Sequence, residues 1–252
     1  MTYSIFQYII EKTYRKIPSV HDIFSMSKEN SSVTRFKDRE HAADLLMSKL
    51  KNELKVESPK EIAVFGVPRG GVIVAYTIYK NRGANYFDIV IPRKLGAPNN
   101  KELGIGAIMD EETVYLNEYV VRALKVSQDY IETEKTSQVR EIERRTLLYR
   151  PNQVEYNIKD KTIILVDDGA ATGATLVVSA RWIKKRKPRK LIIAIPVAPN
   201  ETVELLKNEV DQVITILIPP TSNFTSVAQF YDNFEEITDD KVIKIMNEIN
   251  KK

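Results

Sequence analysis

The sequence predicts an α/β fold with a central, mainly parallel sheet flanked by helices, and three observations carry that prediction. Strand-like and helix-like stretches alternate along most of the 252 residues, the order that yields parallel strands joined by right-handed crossovers. Ile163, Ile164, Leu165 and Val166 form an apolar run without polar alternation, as in a central strand covered on both faces. Two strand-like runs give way to glycine-rich turns, GVPRGG at 66–71 and DDGAATGAT at 167–175, each opening a helix-like stretch. Free N–H groups of such turns and of the following helix make anion sites. In an open parallel sheet, ligands collect at that C-terminal edge.

In chain order, residues 1–32 are expected as an N-terminal helical extension, with Ile5, Phe6, Ile9 and Ile10 on one stripe and a polar link at Asn30, Ser31 and Ser32. Residues 33–252 are expected as one domain. Asp38 is placed to cap a helix that buries Ala42, Leu45, Leu46 and Leu50. A strand at 61–65 leads through GVPRGG into a helix at 72–81, ending at Gly83. A strand at 87–91 precedes Arg93, Lys94 and LGAPNNKELGIGAI, where glycine and proline interrupt any regular pattern. A long mobile loop is expected there, over about residues 93–113. Residues 117–149 read as a charged helix, with Ser127 as a cap and Ile131, Val139, Ile142 and Leu147 as sparse apolar anchors. A helix at 175–187 is stopped by Pro188; a strand at 190–196, a helix at 201–208 and a strand at 212–217 follow. The tail is rich in aromatics, Phe224, Phe230, Tyr231 and Phe234.

Adjacent carboxylates at a strand end, Asp167 and Asp168, suit neighbouring sugar hydroxyls, while Thr172 and Thr175 offer hydroxyls to a phosphate close by. A ribose phosphate fits this layout. The nucleoside-triphosphate P-loop is excluded, because Gly173 is followed by Ala174 and Thr175 rather than by Lys. With no cysteine there is no disulfide, thiolate nucleophile or zinc–sulfur site, and His21 and His41 alone make no histidine metal cluster. Any metal is expected to be held through oxygen. No apolar run approaches a membrane span and the N-terminus has no signal-peptide pattern, so a soluble, cytoplasmic protein is expected. Seven basic residues between Arg181 and Lys190 outweigh the net charge of +4. A solvated helix end complementing the helix dipole is expected there in preference to a nucleic-acid surface.

IILVDDGAATGATL resembles the PRPP-binding signature of type I phosphoribosyltransferases, an apolar run followed by two acids and a T-G-x-T loop. Gly169 and Ala170 stand where that signature commonly has bulky apolar residues. This points to a subgroup of largely uncharacterised predicted phosphoribosyltransferases with a D-D-G-x-A-T-G-A-T loop. Arg35, Phe36 and Arg39 resemble its R-F-x-D-R opening, Glu102 its E-L-x-I-G-A segment, and Arg144, Arg145 and Arg150 its R-R-x-x-x-Y-R.

The resemblance implies the type I phosphoribosyltransferase fold, with a flexible active-site loop and a small hood from 218–236. It implies PRPP and a nitrogen acceptor as partners, a purine base by the R-G-G turn, with Mg2+ as cofactor and a homodimer. Nucleic acid and membrane are not implied partners. By the same resemblance Asp167 and Asp168 serve the ribose hydroxyls and the cationic ring, and Ala171, Thr172, Gly173, Ala174 and Thr175 hold the 5′-phosphate. Arg69, Gly70 and Gly71 hold pyrophosphate, Arg93 and Lys94 meet it as it leaves, and Tyr231 stacks on the acceptor. Mg2+ would bridge diphosphate and ribose oxygens near Asp167 and Asp168, keeping its waters and taking no direct protein ligand. The alternative implied by the same fold is a PRPP-sensing regulator; the retained loop with Arg93 and Lys94 favours the enzyme.

Overall fold

The structure, a computed structural model, describes residues 34–54, 58–82, 84–151 and 157–251. The extension expected at 1–32 and the helix end expected at Gly83 lie outside the described residues. In chain order the elements are α1 (Arg39–Glu53), β1 (Ile62–Gly66), α2 (Gly70–Arg82), β2 (Tyr86–Ile89), β3 (Arg93–Ala97), β4 (Asn100–Asp110), β5 (Thr113–Leu116) and α3 (Glu118–Ala123). They continue with α4 (Gln128–Tyr149), β6 (Thr162–Val166), α5 (Ala174–Lys184), β7 (Lys190–Val197), α6 (Asn200–Lys207), β8 (Gln212–Leu217) and α7 (Asp239–Asn250).

Five strands pair in the order β2-β1-β6-β7-β8, all parallel. Side chains alternate across this sheet. Ile62, Val64, Ile164 and Val166 face α1, α2 and α7; Ala63, Phe65, Ile163 and Leu165 face α5 and α6. All are buried, and each large aliphatic side chain contributes about 1.5–3 kcal/mol by leaving water. From β1 the chain winds to one side, and from β6 to the other. The topological switch point therefore lies between β1 and β6, the two strands that the glycine-rich turns follow.

The segment 93–113, expected as a long irregular loop, is instead an antiparallel sheet in the order β3-β4-β5. Its glycines and proline make the hairpin. Pro98 and Asn99, the latter at φ 63°, turn the chain between the paired residues Ala97 and Asn100. Gly106 lies so close to β5 that a Cβ would stand 3.0 Å from the Leu116 Cα. Leu95, Ala97, Ile105 and Ile108 close a second small core with Val120 of α3 and Ile131 of α4. Glu134 of α4 accepts from the Gly96 N–H at 3.3 Å, and the Tyr130 hydroxyl donates to the Gly96 carbonyl at 2.9 Å.

The helix expected across 117–149 is two helices, broken where Lys125 adopts φ 50°. Ser127 caps the second as its side chain implied, accepting from the Tyr130 N–H. Asp38 caps α1 in the same way through the His41 N–H. A third cluster joins the segment before α1 to the tail: Phe36, Ala42, Val197, Phe224 and Tyr231 are buried together. Backbone hydrogen bonds at 2.8 Å from Phe36 N–H to the Phe230 carbonyl and from Asp232 N–H to the Phe36 carbonyl tie the two segments. No helix among the described residues is long and apolar enough to cross a membrane.

Candidate active site

Asp167 and Asp168 follow β6 directly, at the switch point. The Asp168 N–H donates to the Asp167 carboxylate at 2.9 Å, which turns the two acids into one compact unit. The R-G-G turn lies against them. A Cβ on Gly71 would stand 2.7 Å from both the Asp167 Cα and its Oδ1, and one on Gly70 would stand 2.6 Å from the Asp168 Cγ. The glycines are needed because the start of α2 touches the acid pair. The peptide bond between Pro68 and Arg69 is cis.

After the acids, Gly169 at φ 151° passes under Val227, where a Cβ would be 2.6 Å from a methyl group. The Ala170 N–H donates to the Val197 carbonyl at 2.9 Å, and the Thr202 hydroxyl donates to the Ala171 carbonyl at 2.6 Å. These bonds moor the loop to β7 and α6. Gly173, at φ 73° and so in the left-handed region that favours glycine, precedes α5, and no side chain caps that helix. The first N–H groups of α5 are thus left for a ligand, with the helix dipole behind them. Thr172 is exposed and Thr175 half-buried at this rim.

The electrostatics of the acid pair are uneven. Burial, and then the negative charge of Asp168, push the Asp167 carboxyl well above the usual carboxylate range. Burial also raises Asp168, but Arg39 works against it. Arg39 Nε donates to Asp168 Oδ2 at 2.7 Å, its Nη1 donates to the Glu235 carbonyl at 2.9 Å, and its guanidinium lies 3.9 Å from the Phe234 ring centroid. Two carboxylates with one guanidinium beside them fit a divalent cation brought in through substrate oxygens and water. Among the described residues no group of three His, Cys, Asp or Glu side chains stands ready to hold a metal by itself.

The structure thus places Asp167, Asp168 and the 171–175 loop after β6, with Gly70 and Gly71 packed against the acid pair, at the switch-point end of the sheet. Arg69, half-buried at its rim, ion-pairs with Glu236 and, at 3.5 Å, with Asp239, which in turn accepts from the Tyr149 hydroxyl at 2.6 Å. Arg93 and Lys94 open β3. Arg93 donates to Gln138 at 2.9 Å and Lys94 to the Glu102 carbonyl. Arg93 lies within electrostatic reach of Arg144, Arg145, Glu141 and Tyr149, and Tyr149 in turn of Arg69, so both arginines border one charged cluster. Glu141 is held at a pKa of about 2 by Arg144 and Arg145.

Tyr231 does not stand open to an acceptor. It is 2% exposed between Phe36 and Phe234, and its hydroxyl donates to the Asp168 carbonyl at 2.7 Å. With neither face free for a flat base, it supports the acid pair from below. Arg150 is likewise structural, paired with the buried Asp88, which also accepts from the Tyr86 hydroxyl. Four of the seven cations in the basic run engage neighbours of their own: Arg181 pairs with Glu209, Arg186 lies over the Trp182 ring, Arg189 pairs with Glu61 and Lys185 donates to Thr113. Glu236 and Asp239 are site neighbours that sequence reasoning did not single out, and Arg39 entered it only through the R-F-x-D-R opening, as a salt-bridged surface residue or a substrate contact. For Arg39 a signal existed, since a cation at the first position of α1 opposes the helix dipole and needs a nearby anion.

A mainly parallel sheet with an acid pair, a capless helix start and a glycine turn at its switch point defines a domain of the phosphoribosyltransferase type. The phosphoribosyl transferase domain family matches residues 31–235, and the chain belongs to that family. A curated Mycobacterium tuberculosis protein, provisionally named a phosphoribosyl transferase, is 32% identical over 190 residues; the match covers 75% of this chain but 42% of that relative's length. The crystal structure of TT1426 from Thermus thermophilus is 34% identical with a TM-score of 0.68, covering 85% of this chain and 99% of that one.

Proposed function

We propose that this chain transfers the 5-phosphoribosyl group of PRPP to a nitrogen acceptor with release of pyrophosphate. The observation that carries this reading is the contact of the R-G-G turn with the acid pair, next to the uncapped start of α5. Those three features match the three parts of PRPP in order: diphosphate, ribose hydroxyls and 5′-phosphate. In the reaction the bond from C1′ to the diphosphate oxygen breaks and one from the acceptor nitrogen to C1′ forms, through a state with positive charge on the ring.

Asp167 and Asp168 orient the ribose hydroxyls and place negative charge beside that ring. The N–H groups of 171–175 fix the 5′-phosphate, so the sugar is held by both ends while C1′ moves. Arg69 and the N–H groups of Gly70 and Gly71 receive the departing diphosphate, with Arg93 and Lys94 on the β3 side. Asp167 and Asp168 would hold, through water, a Mg2+ brought in with PRPP, and the ion would supply charge neutralisation at the diphosphate. The R-G-G turn favours a purine base as acceptor. A mass-spectrometric search for new nucleotides after incubation with PRPP, Mg2+ and a pool of nucleobases and small amines tests this. A product that forms with the wild type and not with Asp168→Asn is expected; PRPP binding without any product would put a sensor in place of the transferase.

A further inference from the structure

We propose that Arg39 is a positioning residue for the candidate reaction, locking Asp168 in the rotamer that presents the acid pair to the ribose hydroxyls. The inference rests on the PRPP reading above. It starts from burial: the Arg39 and Asp168 side chains are 7% and 14% exposed, so this ion pair is inside the protein and not on its surface. A buried pair contributes little net stability against an apolar replacement, because desolvating both ions offsets their attraction. Its value is geometric. Arg39 reaches Asp168 Oδ2, the Glu235 carbonyl and the face of Phe234 at once, so the guanidinium is fixed on three sides and in turn fixes the carboxylate.

The rest of the surroundings agree with that role. The Asp168 backbone is held separately, its carbonyl accepting from Tyr231 and its N–H donating to Asp167. The side chain is held by Arg39 beside Asp167, and Gly70 leaves the space for that contact, since a Cβ there would stand 2.9 Å from Arg39 Nε. Oδ2 is committed to Arg39, and the Asp168 carboxylate also shares a hydrogen bond with the Asp167 side chain, so the ribose meets the two acids as one unit. In this scheme the diphosphate is received by Arg69 and the N–H groups of Gly70 and Gly71 and the 5′-phosphate by the 171–175 loop, so Arg39 acts chiefly on the ribose, through Asp168.

That separation sets the test. Binding of Mg2+–PRPP and of Mg2+–pyrophosphate is measured by calorimetry for the wild type, Arg39→Met and Arg39→Lys, with thermal melting as the folding control. Loss of the charge-assisted restraint is expected to weaken PRPP by about tenfold to a hundredfold in Arg39→Met while leaving pyrophosphate unchanged. Arg39→Lys, which keeps the charge but cannot span both partners, should fall between. A purely structural arginine would lower both affinities together or neither; either pattern overturns the proposal. If Arg39→Met does not fold, the ratio of the two affinities in Arg39→Lys decides in the same way. A wild type that binds pyrophosphate but not PRPP would sink the PRPP reading itself and this inference with it.

Discussion

Gly71 touches Asp167: the space where a Cβ would sit is 2.7 Å from the aspartate's Cα and 2.9 Å from the Val166 carbonyl oxygen. Neither neighbour is a flexible side-chain end. Gly71→Ala is therefore expected to push the start of α2 away from the acid pair, costing about 1–3 kcal/mol of stability through overpacking. PRPP affinity should fall with it. Melting temperature and calorimetry check both, and a variant with wild-type affinity would show that the two loops do not act as one site.

Asp167 carries a stability cost at neutral pH. Its carboxyl is raised in the fold by burial and by Asp168, so its favourable contribution is complete below the unfolded value near 3.9 and is lost as pH rises through the folded value. Asp167→Asn removes that loss. The variant is expected to melt higher than the wild type at pH 7 to 8, by about 2–4 °C for each 1 kcal/mol gained. The difference should shrink as the pH approaches 4. Turnover should vanish at every pH, which a nucleotide-formation assay reads directly.

Arg69 is held by Glu236 and Asp239, and in the proposed reaction a diphosphate would have to take it from them. Glu236 is 80% exposed, so its pair is worth at most about 1 kcal/mol. Glu236→Gln is expected to tighten pyrophosphate binding by up to about fivefold, with unchanged melting. Weaker binding in this variant would mean that Glu236 aims Arg69 instead of competing for it.

Arg150 and Asp88 form a buried pair away from the acid pair's own contacts. Arg150→Met leaves Asp88, already raised by burial, without its cation, at a cost of about 3–5 kcal/mol. A fall in melting temperature of roughly 10 °C is expected. PRPP affinity, measured well below the transition, should be unchanged.

Much of the fold is legible because its signals are local. The four aliphatics of β6 have no polar alternation, and the strand they predict is the central one; Asp38 and Ser127 announce the caps they make. The antiparallel sheet at 93–116 is not legible in the same way. Gly96, Gly104, Gly106 and Pro98 read as breakers, yet what decides their role is pairing between β3, β4 and β5, which no local window contains. The last helix had a readable start in Thr238 followed by Asp239 and Asp240, with Val242, Ile245 and Met246 on one face. Four aromatics within eleven tail residues obscure which is buried, and the most enclosed of them, Tyr231, is the one expected at the acceptor.

The sheet β3-β4-β5 also has a consequence for the cost of binding. Ordering a flexible backbone takes roughly 1–2 kcal/mol per residue. A loop of that length, free before the ligand arrives, would consume much of the ligand's interaction energy in becoming ordered. Here that entropy is already surrendered during folding, to the small core around Leu95, Ile105 and Ile131 and to the Glu134 and Tyr130 contacts at Gly96. A ligand resting against β3 keeps the free energy of its own contacts.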